Sequence, residues 1–181
     1  MLPPNWQDDI VATRERVESH WSTPNLGACA RFITEEAAEL LSVMNRLANP
    51  ELLRSTPLEE KDRPQRELGQ TLCMVGSLAN SLGVRLKPEN PSGKTKSAMT
   101  AVAWLNFLCA EVAFTVTAAQ EIGDSEGRLV ITVGHSLDVI AGQIIEVGDL
   151  LGIDPYEALV DWLNAIEAKV EKIRSQKLEA A

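Results

Sequence analysis

Apolar side chains recur every three to four residues along most of the chain, which is the spacing of an amphipathic α-helix. No stretch shows the sustained alternation of apolar and polar residues that a half-buried strand requires. Prolines and glycines divide the pattern into six predicted helices, over residues 5–20, 26–49, 64–81, 97–122, 125–151 and 155–176. We therefore predict an all-α fold, a bundle of about six helices with no sheet.

Two predicted helix ends carry specific signals. Gly83 follows Leu82 at the end of the third predicted helix, where glycine can adopt the left-handed conformation that closes a helix. Asp154 precedes Pro155 and is a predicted N-cap, because its carboxylate can accept hydrogen bonds from the free amides of the first turn.

The segment LKPENPSGKTK, residues 86–96, is the clearest linker and separates two halves of similar layout. We predict a single domain over residues 1–181 that contains two units. Unit one covers about residues 20–96 and unit two about residues 97–176, and the two are expected to pack together as a pseudo-dimer.

The halves share a weak internal repeat. Phe32 and Glu36 in the first half correspond to Phe107 and Glu111 in the second, and each half ends on Leu-Gly followed by a β-branched residue. This layout is typical of a duplicated helical hairpin. Chance similarity between two helical halves of like composition is the alternative.

The charge balance narrows the class of function. The formal net charge is −9 and the pI about 4.8, and the chain has no basic run, which argues against a nucleic-acid-binding protein. An acidic protein can still bind a phosphate-bearing substrate if a metal ion bridges carboxylate and phosphate. The negative net charge therefore favours a function in which a bound metal ion contacts the substrate.

The cysteines and the first residues bear on location. Cys29, Cys73 and Cys109 form no C-x-x-C pair, and we expect them to be small apolar residues in a reducing compartment. The start, MLPPNWQDD, lacks the basic residues and apolar run of a signal peptide. We expect a cytoplasmic protein.

Residues 100–119 form an apolar segment of about the length of a membrane span. Asn106 and Glu111 lie near its middle, where a carboxylate is costly in lipid. We expect a helix buried in the protein core and no membrane contact.

Carboxylates interrupt the apolar stripes of two predicted helices. Successive residues of a helix are rotated by about 100° around its axis. On this basis Glu36 lies inside the apolar stripe of the second predicted helix and Glu39 at the edge of that stripe. In the third predicted helix, Glu67 lies inside the apolar stripe and Gln70 at its edge. If these helices pack antiparallel, the four side chains converge, and oxygen ligands of this kind suit Mg²⁺ or Mn²⁺. The alternative is that E-E-A-A-E lies on an ordinary solvated helix face.

The motifs Glu35-Glu36-Ala37-Ala38-Glu39, Glu67-Leu68-Gly69-Gln70 and Leu82-Gly83 resemble those of the all-α NTP pyrophosphatases, which include the MazG-type and dimeric dUTPase-like proteins. The resemblance covers about residues 20–96 well and the second half loosely. It implies a helical bundle that binds Mg²⁺ through these acids. It also implies hydrolysis of a nucleoside triphosphate to a monophosphate and pyrophosphate.

The resemblance also implies roles for single residues. Metal ligands would be Glu36, Glu39, Glu67 and Gln70, and Glu35 would orient or deprotonate the attacking water. Phosphate contacts would come from a linker segment with Asn90, Lys94 and Lys96, and more weakly from Arg31. A solvated basic loop is the alternative reading of that linker.

The chain departs from the family pattern at Gln70, which stands where the family has aspartate, so one negative charge is lost. This leaves open a second function, that of a non-catalytic helical protein that binds a nucleotide or a partner. In the second half Glu111 is expected either to face the site or to satisfy a core hydrogen bond, and Asp138 lies on a polar face. Both a monomeric pseudo-dimer and a homodimer are compatible with the pattern.

Overall fold

The helical periodicity of the sequence is realised in seven α-helices. The computed structural model describes residues 2–17, 25–59, 63–88, 97–122 and 126–179, and these ranges contain no strand. The helices are α1 (Trp6–Val17), α2 (Leu26–Ala48), α3 (Pro50–Ser55), α4 (Pro64–Ser81), α5 (Ala98–Ile122), α6 (Glu126–Leu151) and α7 (Pro155–Glu179). The predicted all-α bundle is confirmed.

The short helix α3 is additional to the six predicted helices, because the sequence pattern alone identifies Pro50 only as a stop signal for α2. Asn49 ends α2 and at the same time caps α3, since its side-chain oxygen accepts hydrogen bonds from the amides of Glu51 (3.1 Å) and Leu52 (3.2 Å). Proline is well suited to the first position of a helix, where its missing N–H has no helical partner to lose. One proline therefore separates two helices rather than a helix and a loop.

The helix ends follow the predicted signals. Gly83 has a φ of 67°, and the amide of Val84 donates to the carbonyl of Ala79 at 2.9 Å, which together close α4. Gly152 has a φ of 68° and closes α6 with the same type of backbone hydrogen bond. The carboxylate of Asp154 accepts from the amides of the first turn of α7 and is the predicted N-cap.

Helices α2 and α4 pack side by side and run antiparallel. Cys29, near the start of α2, lies against Ser81 at the end of α4, with sulfur and oxygen 4.0 Å apart, while Glu39 further along α2 lies beside Glu67 in the first turn of α4. This pairing places the acidic positions of both helices at one end of the pair.

The remaining helices surround this pair. α2 also packs against α5, α5 against α6, and α4 against α7, while α1 contacts α4 and α7. Buried side chains from all helices except α3 form one hydrophobic cluster, with Ile33, Leu72, Leu105, Leu137 and Leu159 completely enclosed. The pairings α2 with α4 and α5 with α6 correspond between the two halves, and their origin by duplication stays a prediction.

Three free cysteines lie inside this cluster. Cys29, Cys73 and Cys109 are all buried and none is paired in a disulfide. Burial raises the pKa of Cys73 and of Cys109 to about 12, so both thiols stay protonated. They are packing residues, as predicted.

The expectation that residues 100–119 form a helix buried in the protein core is wrong for one face of α5. Trp104, Phe107 and Phe114 are exposed to 48%, 48% and 75%, so none of the described helices covers that side. Both α5 and α6 contain stretches, residues 98–121 and 129–151, that are long and apolar enough to cross a membrane, a property that core helices of soluble proteins share. Cytoplasmic location stays a prediction.

Candidate metal centre

Three carboxylates meet where α2 and α4 lie side by side. Glu36 and Glu39 are three residues apart on α2 and so lie on one face, opposite Glu67 on α4. One carboxylate oxygen from each residue lies within 4.8 Å of those of the other two. The convergence expected from the two interrupted stripes is present, and the role of these residues as metal ligands stays a prediction.

The carboxylates differ in burial. Glu67 is 3% exposed, Glu36 is half-buried and Glu39 is exposed. The Oε2 atoms of Glu36 and Glu67 are buried and have no hydrogen-bond partner. A buried carboxylate oxygen without a partner costs free energy unless a proton or a cation neutralises it.

The raised pKa values of two of these residues express the same cost. Burial raises the pKa of Glu36 to about 7 and that of Glu67 to about 8, and the charge of Glu39 acts in the same direction on both. The Arg66 guanidinium partly opposes these effects. Near neutral pH the cluster therefore holds protons, which a divalent cation would replace.

A cleft of about 380 Å³ opens beside the cluster. It is lined by side chains of α2 and α4, namely Glu39, Ser42, Val43, Arg46, Arg66, Glu67 and Gln70. Gln70 therefore faces the same space as two of the carboxylates, as predicted, and it offers an amide carbonyl where the related pattern has a carboxylate.

Two arginines of this cleft were missed by the sequence analysis. Arg46 follows Glu39 by seven residues on α2, a spacing that places both on one helix face and could have identified it. Arg66 directly precedes Glu67, and adjacent helical residues point in different directions, so no sequence pattern signalled it. Its guanidinium carbon lies 5.1 Å from the ring centroid of Trp162 on α7, which holds it beside the cleft.

Gly69 lies between the two site residues Glu67 and Gln70 and allows α7 to approach α4. A Cβ atom at this position would lie 2.2 Å from the carbonyl oxygen of Ala158. The glycine of the Glu-Leu-Gly-Gln motif therefore serves helix packing, and it fixes Trp162 on α7 close to the site.

The proposed base and the weaker phosphate ligand lie apart from the three-carboxylate cluster. Glu35 is exposed, and its Oε1 pairs with the Nε of Arg31 at 3.5 Å. Arg31 also lies over the ring of Phe32, with 5.3 Å between guanidinium carbon and centroid. The charge of Glu35 nevertheless reaches Glu36, since it contributes to the raised pKa of that residue.

The linker residues Asn90, Lys94 and Lys96, together with the rest of residues 89–96, lie outside the part of the chain that the structure describes. Their predicted contacts with phosphate stay predictions.

Neither expectation for Glu111 agrees with the structure. Glu111 is exposed and lines a separate shallow groove with Phe107 and Phe114 on α5. Asp138 accepts a hydrogen bond from the backbone amide of Lys87 and so ties α6 to the segment after α4. This contact is a structural one, as the polar placement of Asp138 predicted.

The donor set fits a hard divalent cation. Three carboxylates from two helices offer oxygen ligands, and the buried unpaired oxygens of Glu36 and Glu67 lack any other partner. The chain matches no protein-family model, no curated protein and no solved structure. Membership of the all-α NTP pyrophosphatases therefore stays a prediction from the quoted motifs.

Proposed function

We propose that this protein is a metal-dependent nucleoside triphosphate pyrophosphohydrolase that releases a nucleoside monophosphate and pyrophosphate. The observation that carries the proposal is the cluster of Glu36, Glu39 and Glu67, in which two residues have buried carboxylate oxygens without a hydrogen-bond partner. This cluster lies at the edge of a cleft that is also lined by Arg46 and Arg66. Acidic ligands beside basic side chains are the combination that a metal–polyphosphate complex needs.

The carboxylates of Glu36, Glu39 and Glu67 would hold Mg²⁺ or Mn²⁺, with the amide oxygen of Gln70 as a further donor. When bound, the cation supplies Lewis-acid activation of water and neutralises phosphate charge. The water adds its oxygen to phosphorus as the bond between the α- and β-phosphates breaks. Its proton leaves to a base, and pyrophosphate carries away the electron pair of the broken bond.

The two arginines would bind phosphate oxygens. A guanidinium group presents paired N–H donors that match phosphate geometry and stays charged at all relevant pH values. Arg66 is stacked on Trp162 and therefore needs little further ordering when phosphate binds.

Glu35 remains the proposed base. Its carboxylate lies next to Glu36 in sequence, and its partner Arg31 is itself largely exposed. An exposed ion pair of this kind contributes only about 0–1 kcal/mol, so the Glu35 carboxylate can leave Arg31 and turn toward a water in the cleft.

A second candidate function is nucleotide binding without hydrolysis. Gln70 favours it, because the neutral amide supplies no charge where the related pattern has aspartate. The same acidic cleft would then bind a nucleotide only through the remaining carboxylates and the arginines.

Pyrophosphate release from a panel of ribo- and deoxynucleoside triphosphates, with Mg²⁺ and with Mn²⁺, tests the proposal. We expect metal-dependent release that is lost in Glu36→Gln, while the far-ultraviolet circular dichroism stays that of the wild type. The non-catalytic function would be supported instead if the folded wild type released no pyrophosphate from any triphosphate with either metal, and if nucleotide nevertheless raised its Tm.

A further inference from the structure

A second cleft, of about 270 Å³, lies between α4 and α7. Its walls are formed by Arg63, Gln65 and Arg66 at the start of α4 and by Asp161, Trp162 and two alanines of α7. The α7 residues that line it are spaced by three or four positions, so they share one side of that helix. We call this space the α4–α7 cleft, and we call the cleft beside the three carboxylates the metal cleft.

Arg66 joins the two clefts. Its side chain lines both the metal cleft and the α4–α7 cleft, so the two spaces meet at its guanidinium group. A nucleotide whose phosphates occupy the metal cleft can therefore pass Arg66 and place its base in the α4–α7 cleft. In that position Arg66 contacts the phosphate nearest the sugar.

The α4–α7 cleft offers planar groups to a base. The guanidinium carbon of Arg66 lies 5.1 Å from the ring centroid of Trp162, and that indole ring is half-buried against the hydrophobic cluster. Bases stack on aromatic rings and on guanidinium planes. A further cleft, between α2 and α3, also adjoins the metal cleft through Ser42 and Arg46, but no aromatic side chain is among the described residues that line it. Stacking therefore favours the α4–α7 cleft for the base.

Asp161 limits what can bind in this cleft. It is exposed, and its Oδ2 accepts a hydrogen bond from the Nε2 of Gln65 at 2.7 Å, which fixes the carboxylate against α4. An ionised carboxylate accepts hydrogen bonds and donates none, and its two oxygens can accept several. Its negative charge repels phosphate, so the uncharged base is the part of a nucleotide that fits here. The base must present donors to Asp161.

Guanine is the common base whose edge meets this requirement. Its N1–H and its amino N2–H are neighbouring donors, and two parallel hydrogen bonds to one carboxylate are possible. Adenine and cytosine have a ring-nitrogen acceptor beside their amino group, and uracil and thymine have a single N–H between two carbonyl oxygens. Opposite Asp161 each of these bases would turn an acceptor toward an acceptor, which costs binding free energy.

We propose that the α4–α7 cleft binds the base of a guanine nucleoside triphosphate. The base stacks on Trp162, and Asp161 accepts hydrogen bonds from its N1 and N2 atoms. This inference rests on the proposed function, since it requires the phosphates to occupy the metal cleft. Asp161 determines specificity in this arrangement and takes no part in breaking the phosphate bond.

Binding of analogues that cannot be cleaved tests the base preference separately from hydrolysis. The α,β-methylene analogues of GTP, ITP and ATP, with Mg²⁺, are titrated into the full chain by calorimetry. Inosine keeps N1–H and lacks the N2 amino group, so it removes one of the two donors. We expect the guanosine analogue to bind about 10- to 100-fold more tightly than the adenosine analogue, with the inosine analogue between them.

Asp161→Asn should change the preference and not merely weaken binding. Its amide keeps one acceptor and gains a donor, which matches xanthine, where a carbonyl oxygen replaces the N2 amino group of guanine. We expect this variant to bind the guanosine analogue about tenfold more weakly than the wild type and the xanthosine analogue about tenfold more tightly. Asp149→Asn is the matched control, because Asp149 is exposed on α6 and does not line the cleft. The control should keep the preference of the wild type.

Each outcome decides between the base site and the hydrolysis. Equal affinities of the wild type for all the analogues, or an Asp161→Asn variant that still prefers guanine over xanthine, would overturn the base site even if triphosphates are hydrolysed. Guanine-selective binding that Asp161→Asn converts to xanthine, without pyrophosphate release from GTP, would support the base site and overturn the hydrolysis. A folded wild type that binds none of the analogues would overturn both.

Discussion

Glu39 on α2 and Glu67 on α4 bring a carboxylate oxygen of each to within 4.8 Å of the other across the helix pair. Two acids this close disfavour double ionisation, and burial raises the pKa of Glu67 to about 8, so that Glu67 retains its proton at neutral pH. A divalent cation and this proton therefore compete for the same oxygens. The competition makes the metal-free protein sensitive to pH in a definite direction.

The first prediction concerns the stability of the metal-free protein. Glu36 and Glu67 have folded-state pKa values of about 7 and about 8, above the 4.5 of an ordinary glutamate. The folded state therefore holds protons that the unfolded state releases, and the free energy of unfolding falls as the pH rises from about 5 to 8. We expect a loss of about 1–3 kcal/mol, after allowing for the partial exposure of Glu36.

Thermal unfolding in a chelator, followed across this pH range, measures the effect. Glu67→Gln should flatten the pH dependence, because the amide cannot titrate, and Mn²⁺ or Mg²⁺ should raise the Tm of the wild type most at the alkaline end. An unchanged slope in Glu67→Gln would show that other groups cause it.

The second prediction concerns Gln70, which faces the same cleft as Glu39 and Glu67. Gln70→Asp adds a negative charge beside the cation site and should tighten Mg²⁺ binding by about tenfold or more, equivalent to about 1.4 kcal/mol. In a chelator the same variant should be less stable than the wild type, since a further acid joins three others. Calorimetric titration with Mg²⁺ gives the first quantity and thermal unfolding the second.

Equal Mg²⁺ affinities for wild type and Gln70→Asp would place Gln70 outside the ligand set. Gln70→Glu is a useful companion variant, because it adds the same charge on a longer side chain. Comparing the two variants distinguishes the effect of the added charge from the effect of side-chain length.

The third prediction concerns Arg66, which is stacked on Trp162 beside the cleft. Arg66→Ala should raise the KM for the triphosphate by roughly 10- to 100-fold, because a charge-assisted contact with phosphate is lost. Arg66→Lys should recover only part of this, since lysine lacks the planar fork. Steady-state kinetics at saturating Mg²⁺ provide the measurement.

Arg54→Ala is the matched control for Arg66→Ala. Arg54 lies on α3, is exposed and donates a hydrogen bond to the carbonyl of Pro50. The Arg54→Ala substitution therefore removes the same charge from the chain without changing the cleft. If both variants raise KM equally, the change in KM is caused by the loss of net charge and not by the loss of a contact in the cleft.

The fourth prediction concerns Gly69. Alanine is the better helix former by about 1 kcal/mol, yet a Cβ at Gly69 would lie 2.2 Å from the backbone oxygen of Ala158. Gly69→Ala should therefore lower the free energy of unfolding by about 1–3 kcal/mol, because α7 must move away. Gly134→Ala on α6, where the nearest atoms are methyl groups of Val84 at 3.5 Å, should be neutral or stabilising.

Denaturant unfolding of both glycine variants measures the difference. A Gly69→Ala protein as stable as Gly134→Ala would contradict the close approach of α4 and α7.

The acidic centre was predictable from the sequence because it follows from periodicity. Glu36 and Glu67 occupy positions that the apolar stripe reserves for the core, and a helical hairpin brings such positions together. Arg66 was not predictable in the same way, since its place beside the cleft depends on Trp162 from a helix more than ninety residues later.

Two features of the fold lay outside what local pattern can decide. Pro50 both ends one helix and begins another, and its role depends on the side chain of Asn49 before it. The apolar sequence of α5 indicates burial, but burial depends on whether a neighbouring helix covers each face, and no helix in the described ranges covers Phe114. Periodicity identifies which residues avoid water, not what shields them.

The stacking of Arg66 on Trp162 has an optical consequence. The side chain of Trp162 is partly buried and packs against the hydrophobic cluster, while its ring lies against the guanidinium of Arg66. A phosphate group that binds Arg66 changes the charge next to the indole ring of Trp162, and so changes the fluorescence of that ring. A variant in which Trp162 is the single tryptophan would therefore report occupancy of the cleft as a change in its fluorescence.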